Sequence, residues 1–141
     1  MSGGAITFLE LRTGAALSSI PVLNELLDVA TRALGVDGAT AHDLALGLAE
    51  LVANVVEHEL REQQGSVTVR LEQSEGELAL FVESQGPEFD LNAALERAAQ
   101  RDPLAELDGS GLGLPMLAVL FDRIDHSYEQ GQNRIVLRRS T

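Results

Sequence analysis

Cysteine and tryptophan are both missing from this chain of 141 residues. Without cysteine there is no disulfide, no thiolate metal site and no thiol nucleophile. Aromatic residues amount to only 4%, so aliphatic side chains must build most of any core. Basic residues are scarce too, with 10 against 22 acidic ones, for a formal charge of −12. A surface this acidic repels phosphate backbones, which argues against a broad nucleic-acid-binding face. An anionic ligand would need local help from backbone N–H groups, a helix N-terminus or a metal ion. No apolar run approaches the ~20 residues that span a bilayer. Met1-Ser2-Gly3-Gly4 lacks the basic and apolar segments of a signal peptide. The expectation is a cytoplasmic protein with no membrane and no direct nucleic-acid partner.

What is present is a hydrophobic fraction of 45%, well above that of a disordered chain. The length fits one domain over 1–141. Ala5–Leu11 is short, apolar and bounded by glycines, and reads as an opening strand. Ser18-Ser19-Ile20-Pro21 starts a helix with a hydroxyl cap and a first-turn proline, and Gly35 ends it. A second helix is expected from about Ala41 to Leu60, with Leu44, Leu48, Leu51 and Val52 on its apolar face. Ser66–Glu72 and Glu77–Glu83 alternate apolar and polar residues around Ser74-Glu75-Gly76, the pattern of a hairpin with one buried face. Leu91–Gln100 suits a short helix, Arg101–Ser110 a connection, and Leu112–Phe121 a further helix. Arg123–Tyr128 and Arg134–Arg138 form a last hairpin around Gln130-Gly131-Gln132-Asn133. Strands in adjacent pairs predict an α/β sandwich: a mixed, mostly antiparallel sheet with helices packed on one face.

Chemistry concentrates in three places. At ~3.6 residues per turn, Glu50, Asn54 and His58 fall on one stripe of the second helix, with Glu57 beside them. An Asn amide oxygen is a hard ligand suited to Mg²⁺, and a carboxylate one turn away can deprotonate a hydroxyl. The same stripe also suits the exposed polar face of an amphipathic helix. Gly109-Ser110-Gly111-Leu112-Gly113-Leu114-Pro115 leads into a helical segment, and glycines there let backbone approach phosphate. Glycine clusters also mark ordinary loops, and this one lacks the Lys-Ser/Thr ending of a P-loop. Between the two lies Val82-Glu83-Ser84-Gln85-Gly86-Pro87-Glu88-Phe89-Asp90, a strand running into a turn.

In order and spacing together, these segments resemble the GHKL (histidine-kinase-like) ATPases and, within them, the small bacterial anti-sigma factor serine/threonine kinases. The likeness runs from the first helix to the last strand. It includes Asp102-Pro103-Leu104 and the Leu120-Phe-Asp122-Arg-Ile124 turn. The resemblance implies a Bergerat-type fold holding ATP, with Mg²⁺ on Asn54 and Glu50 as the base for a serine hydroxyl. The nucleotide-binding set it implies is Asn54, His58, Ser84, Gly86, Gly109, Gly111, Leu112 and Gly113. Kinases of this family bind a sigma factor and phosphorylate an anti-anti-sigma (STAS) protein, and stand-alone members often form homodimers.

Two departures define an alternative. The family loop usually reads Asp-x-Gly-x-Gly, whereas here it reads Ser84-Gln85-Gly86-Pro87-Glu88. Ser84 brings no charge to an adenine amino group, and Glu88 replaces a glycine. No arginine stands at Gly109 or Ser110 of the glycine-rich segment, and Arg101 lies upstream. Glu50 and Asn54 favour a kinase. Ser84 and Glu88 favour a non-catalytic partner-switching module with weak or lost ATP binding.

Overall fold

The computed structural model describes residues 4–60, 65–91 and 113–141, apart from the side chains of 58–60, 113 and 114. The elements are β1 (Ile6–Gly14), α1 (Ser19–Ala33), α2 (Gly38–Asn54), a π-helical segment (Val55–Leu60), β2 (Ser66–Ser74), β3 (Glu77–Gln85), α3 (Gly113–Leu120), β4 (Arg123–Glu129) and β5 (Gln132–Ser140). The strands form one sheet in the order β1-β2-β3-β5-β4. Every pairing in it is antiparallel, and the helices cover one face. The expected helix at 91–100 lies outside the described residues beyond Leu91.

Local chemistry explains most boundaries. Helix α1 carries Pro21 in its first turn, where a missing N–H has no intrahelical partner to lose. Its expected hydroxyl cap is not formed. Ser18 makes no side-chain cap bond, and the Ser19 hydroxyl instead donates to the Gly14 carbonyl at 2.6 Å, tying the helix to the end of β1. Gly35, at φ +71°, takes the left-handed position that closes α1. Helix α2 begins at Gly38 because Asp37 accepts the Thr40 N–H at 2.7 Å. That backbone bond also holds the Asp37 carboxyl below its ordinary pKa.

Both hairpins turn where glycine permits positive φ. Gly76 sits at +74°, and Gln130 and Gly131 sit at +53° and +76°. The second turn is therefore confined to the two residues Gln130 and Gly131. Gln132 and Asn133, expected in the turn, belong to β5.

The core lies between helices and sheet. Leu27 of α1, Leu44, Leu48 and Leu51 of α2 and Leu117 of α3 meet Val69, Leu80, Ile135 and Leu137 of the sheet. Gly47 marks the closest approach. A Cβ there would stand 2.6 Å from Leu137 Cδ1 and 2.9 Å from Phe121 Cζ. Helix α2 and its continuation, Gly38–Glu57, reach membrane-spanning length with a mean hydropathy of 1.2, but Asp43, Glu50 and Glu57 interrupt the apolar run. Its apolar side chains are those of a core helix packed on the sheet.

Strand β3 departs from the expected alternation, since it is buried on both faces. All ten basic residues of the chain are arginines, and Arg70, Arg134 and Arg138 lie on the face opposite the described helices. There the Arg70 guanidinium lies 4.1 Å above the Phe81 ring centroid, and Phe81, Ala79 and Val136 form a small second apolar cluster. Glu83, only 6% exposed, accepts from Arg70 Nη1 at 2.9 Å, Arg134 Nη2 at 3.0 Å and Gln132 Nε2 at 3.2 Å. Arg138 bridges Glu77 and Asp125 on the same face.

Candidate functional site

The course of α2 decides which polar groups can meet. Near its start, Asp43 pairs with Arg139 at the far end of β5. At its middle, Gly47 rests on Leu137. From Gly47 to Asn54 the helix rises about 10 Å, and from Leu137 back to Asn133 the strand travels about 13 Å. The C-terminal turn of α2, with Glu50 and Asn54, therefore stands over the end of the sheet that carries Ser84 and Asn133. Ser84 and Asn133 are direct cross-strand partners in the β3–β5 register.

On the helix, Glu50 and Asn54 form one unit. The Asn54 amide nitrogen donates to the Glu50 backbone carbonyl at 2.8 Å and to Glu50 Oε1 at 3.3 Å. Asn54 is 7% exposed, so its amide is held in one orientation. With the nitrogen committed to Glu50, the amide oxygen is the end available to a cation. A neutral hard oxygen beside a carboxylate suits Mg²⁺, which keeps several waters and takes few protein ligands. The donor set therefore fits the ion that the sequence motif implies.

Directly after Asn54 the helix widens into the π-helical segment Val55–Leu60. Such segments are rare and often lie at functional sites. The α-helical stripe drawn through Glu50, Asn54 and His58 consequently holds only as far as Asn54. His58 lies within the π-helical segment, its side chain outside the described residues, and Glu57 is exposed.

At the sheet end, Ser84 is 4% exposed and points to the helical face, like Val82 and Leu80 before it. Gly86 and Pro87 follow as the chain leaves β3, and the side chain of Glu88 is exposed. The loop is tied to the last hairpin. Asn133 Nδ2 donates to the Pro87 carbonyl at 2.8 Å, and its Oδ1 accepts the Phe89 N–H at 2.9 Å. The Tyr128 hydroxyl donates to the Gly86 carbonyl at 2.9 Å. Gly113 opens α3, while Gly109, Gly111 and Leu112 lie outside the described residues.

Sequence reasoning passed over Asn133, Tyr128 and Gly47. A signal for the first existed: Asn133 precedes Ile135 and Leu137 at strand spacing, so a polar residue occupies a core-facing position.

Comparison with known proteins agrees with this architecture. The sequence profile of the histidine kinase-like ATPase domain matches residues 15–139. The chain belongs to the histidine kinase-like ATPase family. Among its relatives is the serine-protein kinase RsbW of Bacillus cereus, 22% identical over 133 residues, which cover 92% of this chain and 83% of that protein. The RsbW of Bacillus anthracis is 21% identical over the same lengths. Among solved structures, the RsbU and RsbW domains of a Mycobacterium tuberculosis protein align over 98% of this ATPase-family chain, with a TM-score of 0.68 and 16% identity. The alignment spans 32% of that longer chain. A chain of the SiaB–SiaC complex from Pseudomonas aeruginosa aligns over 96% of this chain and 91% of its own length, with a TM-score of 0.61 and 18% identity.

Proposed function

We propose that this chain is a cytoplasmic, single-domain anti-sigma factor serine/threonine kinase. In this reading it binds ATP-Mg, sequesters a sigma factor and phosphorylates an anti-anti-sigma (STAS) protein. The observation that carries the reading is the Glu50–Asn54 pair, in which the amide nitrogen of Asn54 is bonded to Glu50. The likeness to serine-protein kinases named RsbW and to a chain of the SiaB–SiaC complex supports the partner class.

Asn54 would hold the ion through its amide oxygen, and Ser84 and Gly86 would line the adenine side. Bound Mg²⁺ supplies charge neutralisation on the phosphates during phosphoryl transfer. The protein's own part is positioning and proton handling. Glu50, half-buried on α2 and fixed by Asn54, would take the proton of the incoming seryl hydroxyl as that oxygen bonds to the γ-phosphorus and the bond from that phosphorus to the β–γ bridging oxygen breaks, releasing ADP.

The alternative, a binding module that switches partners without catalysis, is favoured by one specific observation. Ser84 is buried, uncharged and placed where the related loop has a carboxylate.

Titration calorimetry with ATP and Mg²⁺, on the wild type and Asn54→Ala, tests the first reading. The wild type should bind in a Mg²⁺-dependent manner and the variant should lose that dependence with its circular dichroism unchanged. In a phosphotransfer assay with the cognate STAS protein, Glu50→Gln should cost ~10²–10⁴ in rate while still binding ATP. A wild type that holds its sigma factor yet neither binds ATP nor transfers phosphate would establish the binding-module alternative.

A further inference from the structure

Among the described residues, loop 86–90 is tied to the β4–β5 hairpin through side chains and backbone. Asn133, 1% exposed, uses its whole amide there. Its Nδ2 donates to the Pro87 carbonyl and its Oδ1 accepts the Phe89 N–H. The same Oδ1 lies 3.1 Å from His126 Nε2, and because an amide oxygen only accepts, Nε2 carries the hydrogen in this contact. Tyr128 adds its bond to the Gly86 carbonyl, and the Gly86 N–H donates to the Gly131 carbonyl at 3.0 Å. Gly86, Pro87 and Phe89 are thus each pinned to the hairpin through backbone atoms.

Packing alone does not call for this arrangement. The positions two and four residues further along β5, Ile135 and Leu137, are buried and apolar. An aliphatic residue at 133 would serve the core equally well, and a buried amide is tolerated only because its bonding capacity is met. What the amide adds is a fixed course for the loop that begins two residues after Ser84.

We propose that Asn133 is a positioning residue for nucleotide binding. It holds loop 86–90 in its binding conformation before the ligand arrives, so that association costs no loop ordering. Tyr128 assists as a second, weaker tether. The proposal rests on the ATP reading given above and adds to it residues from outside the recognised motifs.

The test is calorimetric titration of the full chain with ATP and Mg²⁺ in wild type, Asn133→Ala and Tyr128→Phe, paired with amide hydrogen exchange. Asn133→Ala should weaken binding about ten-fold or more, and Tyr128→Phe, which removes a single oxygen, about two- to ten-fold. Exchange should accelerate at the Phe89 amide in Asn133→Ala while the amides of Leu80 and Leu137 keep their protection, a pattern that general loss of stability would not produce. Should Asn133→Ala unfold, seen as faster exchange throughout the sheet, Tyr128→Phe decides alone. Affinities within two-fold of wild type in the folded variants would overturn the proposal, as would a Phe89 amide that stays protected without Asn133. Failure of the ATP reading itself is seen separately, as absence of binding in the wild type before any variant is compared.

Discussion

Replacing Gly47 by alanine sets two known effects against each other. A helix-interior glycine is about 1 kcal/mol worse than alanine, so propensity alone predicts a gain in stability. The packing predicts the reverse. The new Cβ would lie 2.6 Å from Leu137 Cδ1, where ordinary contact begins at 3.4 Å, so about 0.8 Å must be found. Leu137 is 0% exposed and Phe121, the second neighbour at 2.9 Å, is 4% exposed, so both would have to shift within the core rather than out into solvent. Overpacking of this kind costs typically 1–3 kcal/mol. The expected net is a loss of up to about 2 kcal/mol for Gly47→Ala. Gly47→Val should lose more, because a β-branched side chain recovers less propensity and adds more volume. Urea unfolding followed by circular dichroism measures both. Trimming the neighbour gives an internal control: in Gly47→Ala with Leu137→Val the combined loss should be smaller than the sum of the two single losses, by more than about 0.5 kcal/mol. A Gly47→Ala protein as stable as the wild type or more so, with additive losses in the double variant, would refute the close approach. The substitution also reaches the site. Glu50 lies one turn beyond Gly47, so a helix pushed off the sheet carries the Glu50–Asn54 pair with it, and ATP affinity should fall together with stability.

The altered loop offers a second measurement: Ser84→Asp with Glu88→Gly should bind ATP-Mg about ten-fold more tightly than wild type, because a carboxylate at 84 gives a charge-assisted acceptor for an adenine amino group. Equal or weaker affinity in calorimetry would mean that Ser84 serves another ligand. A third concerns acid. Asp37 and Asp122 are held below the ordinary carboxylate range by the backbone N–H groups of Thr40 and Ser140, and Asp125 chiefly by its hydrogen bond from Arg123. Groups with depressed folded pKa values stabilise the protein above the unfolded value, near pH 4, and lose that contribution as pH falls through the folded values. Thermal midpoints should therefore hold down to about pH 5 and drop below about pH 4, and Asp125→Asn should make that drop shallower.

The elements that follow a simple period were legible in the sequence. Val67, Val69 and Leu71 alternate with polar neighbours, and Leu44, Leu48 and Leu51 recur at helical spacing, so β2 and α2 were read with the correct inward faces. Glu50 and Asn54 were paired from spacing alone, and the structure brings them into contact. Features that depend on neighbours distant in sequence were not visible. Nothing local marks Gly47 as the point where Leu137 and Phe121 press on the helix. The π-helical segment Val55–Leu60 breaks the 3.6-residue period after Asn54, which a fixed angular step per residue cannot anticipate. Asn133 was drawn into the turn by its polar neighbours, although the turn needs only Gln130 and Gly131 at positive φ. Phe81 and Glu83 read as solvent-facing because β3 alternates, and arginines of neighbouring strands bury both.

That double burial of β3 means its two surfaces are insulated by different physics. On the helical side the seal is aliphatic, and such contacts weaken on cooling and hold in salt. On the opposite side the seal is made of guanidinium groups laid over Phe81 and Glu83, held by attractions that electrolyte screens and whose desolvation penalty falls as temperature rises. Salt is therefore a selective handle on one strand: it loosens the side that faces away from α2 and leaves the aliphatic side in place, whereas cold weakens both.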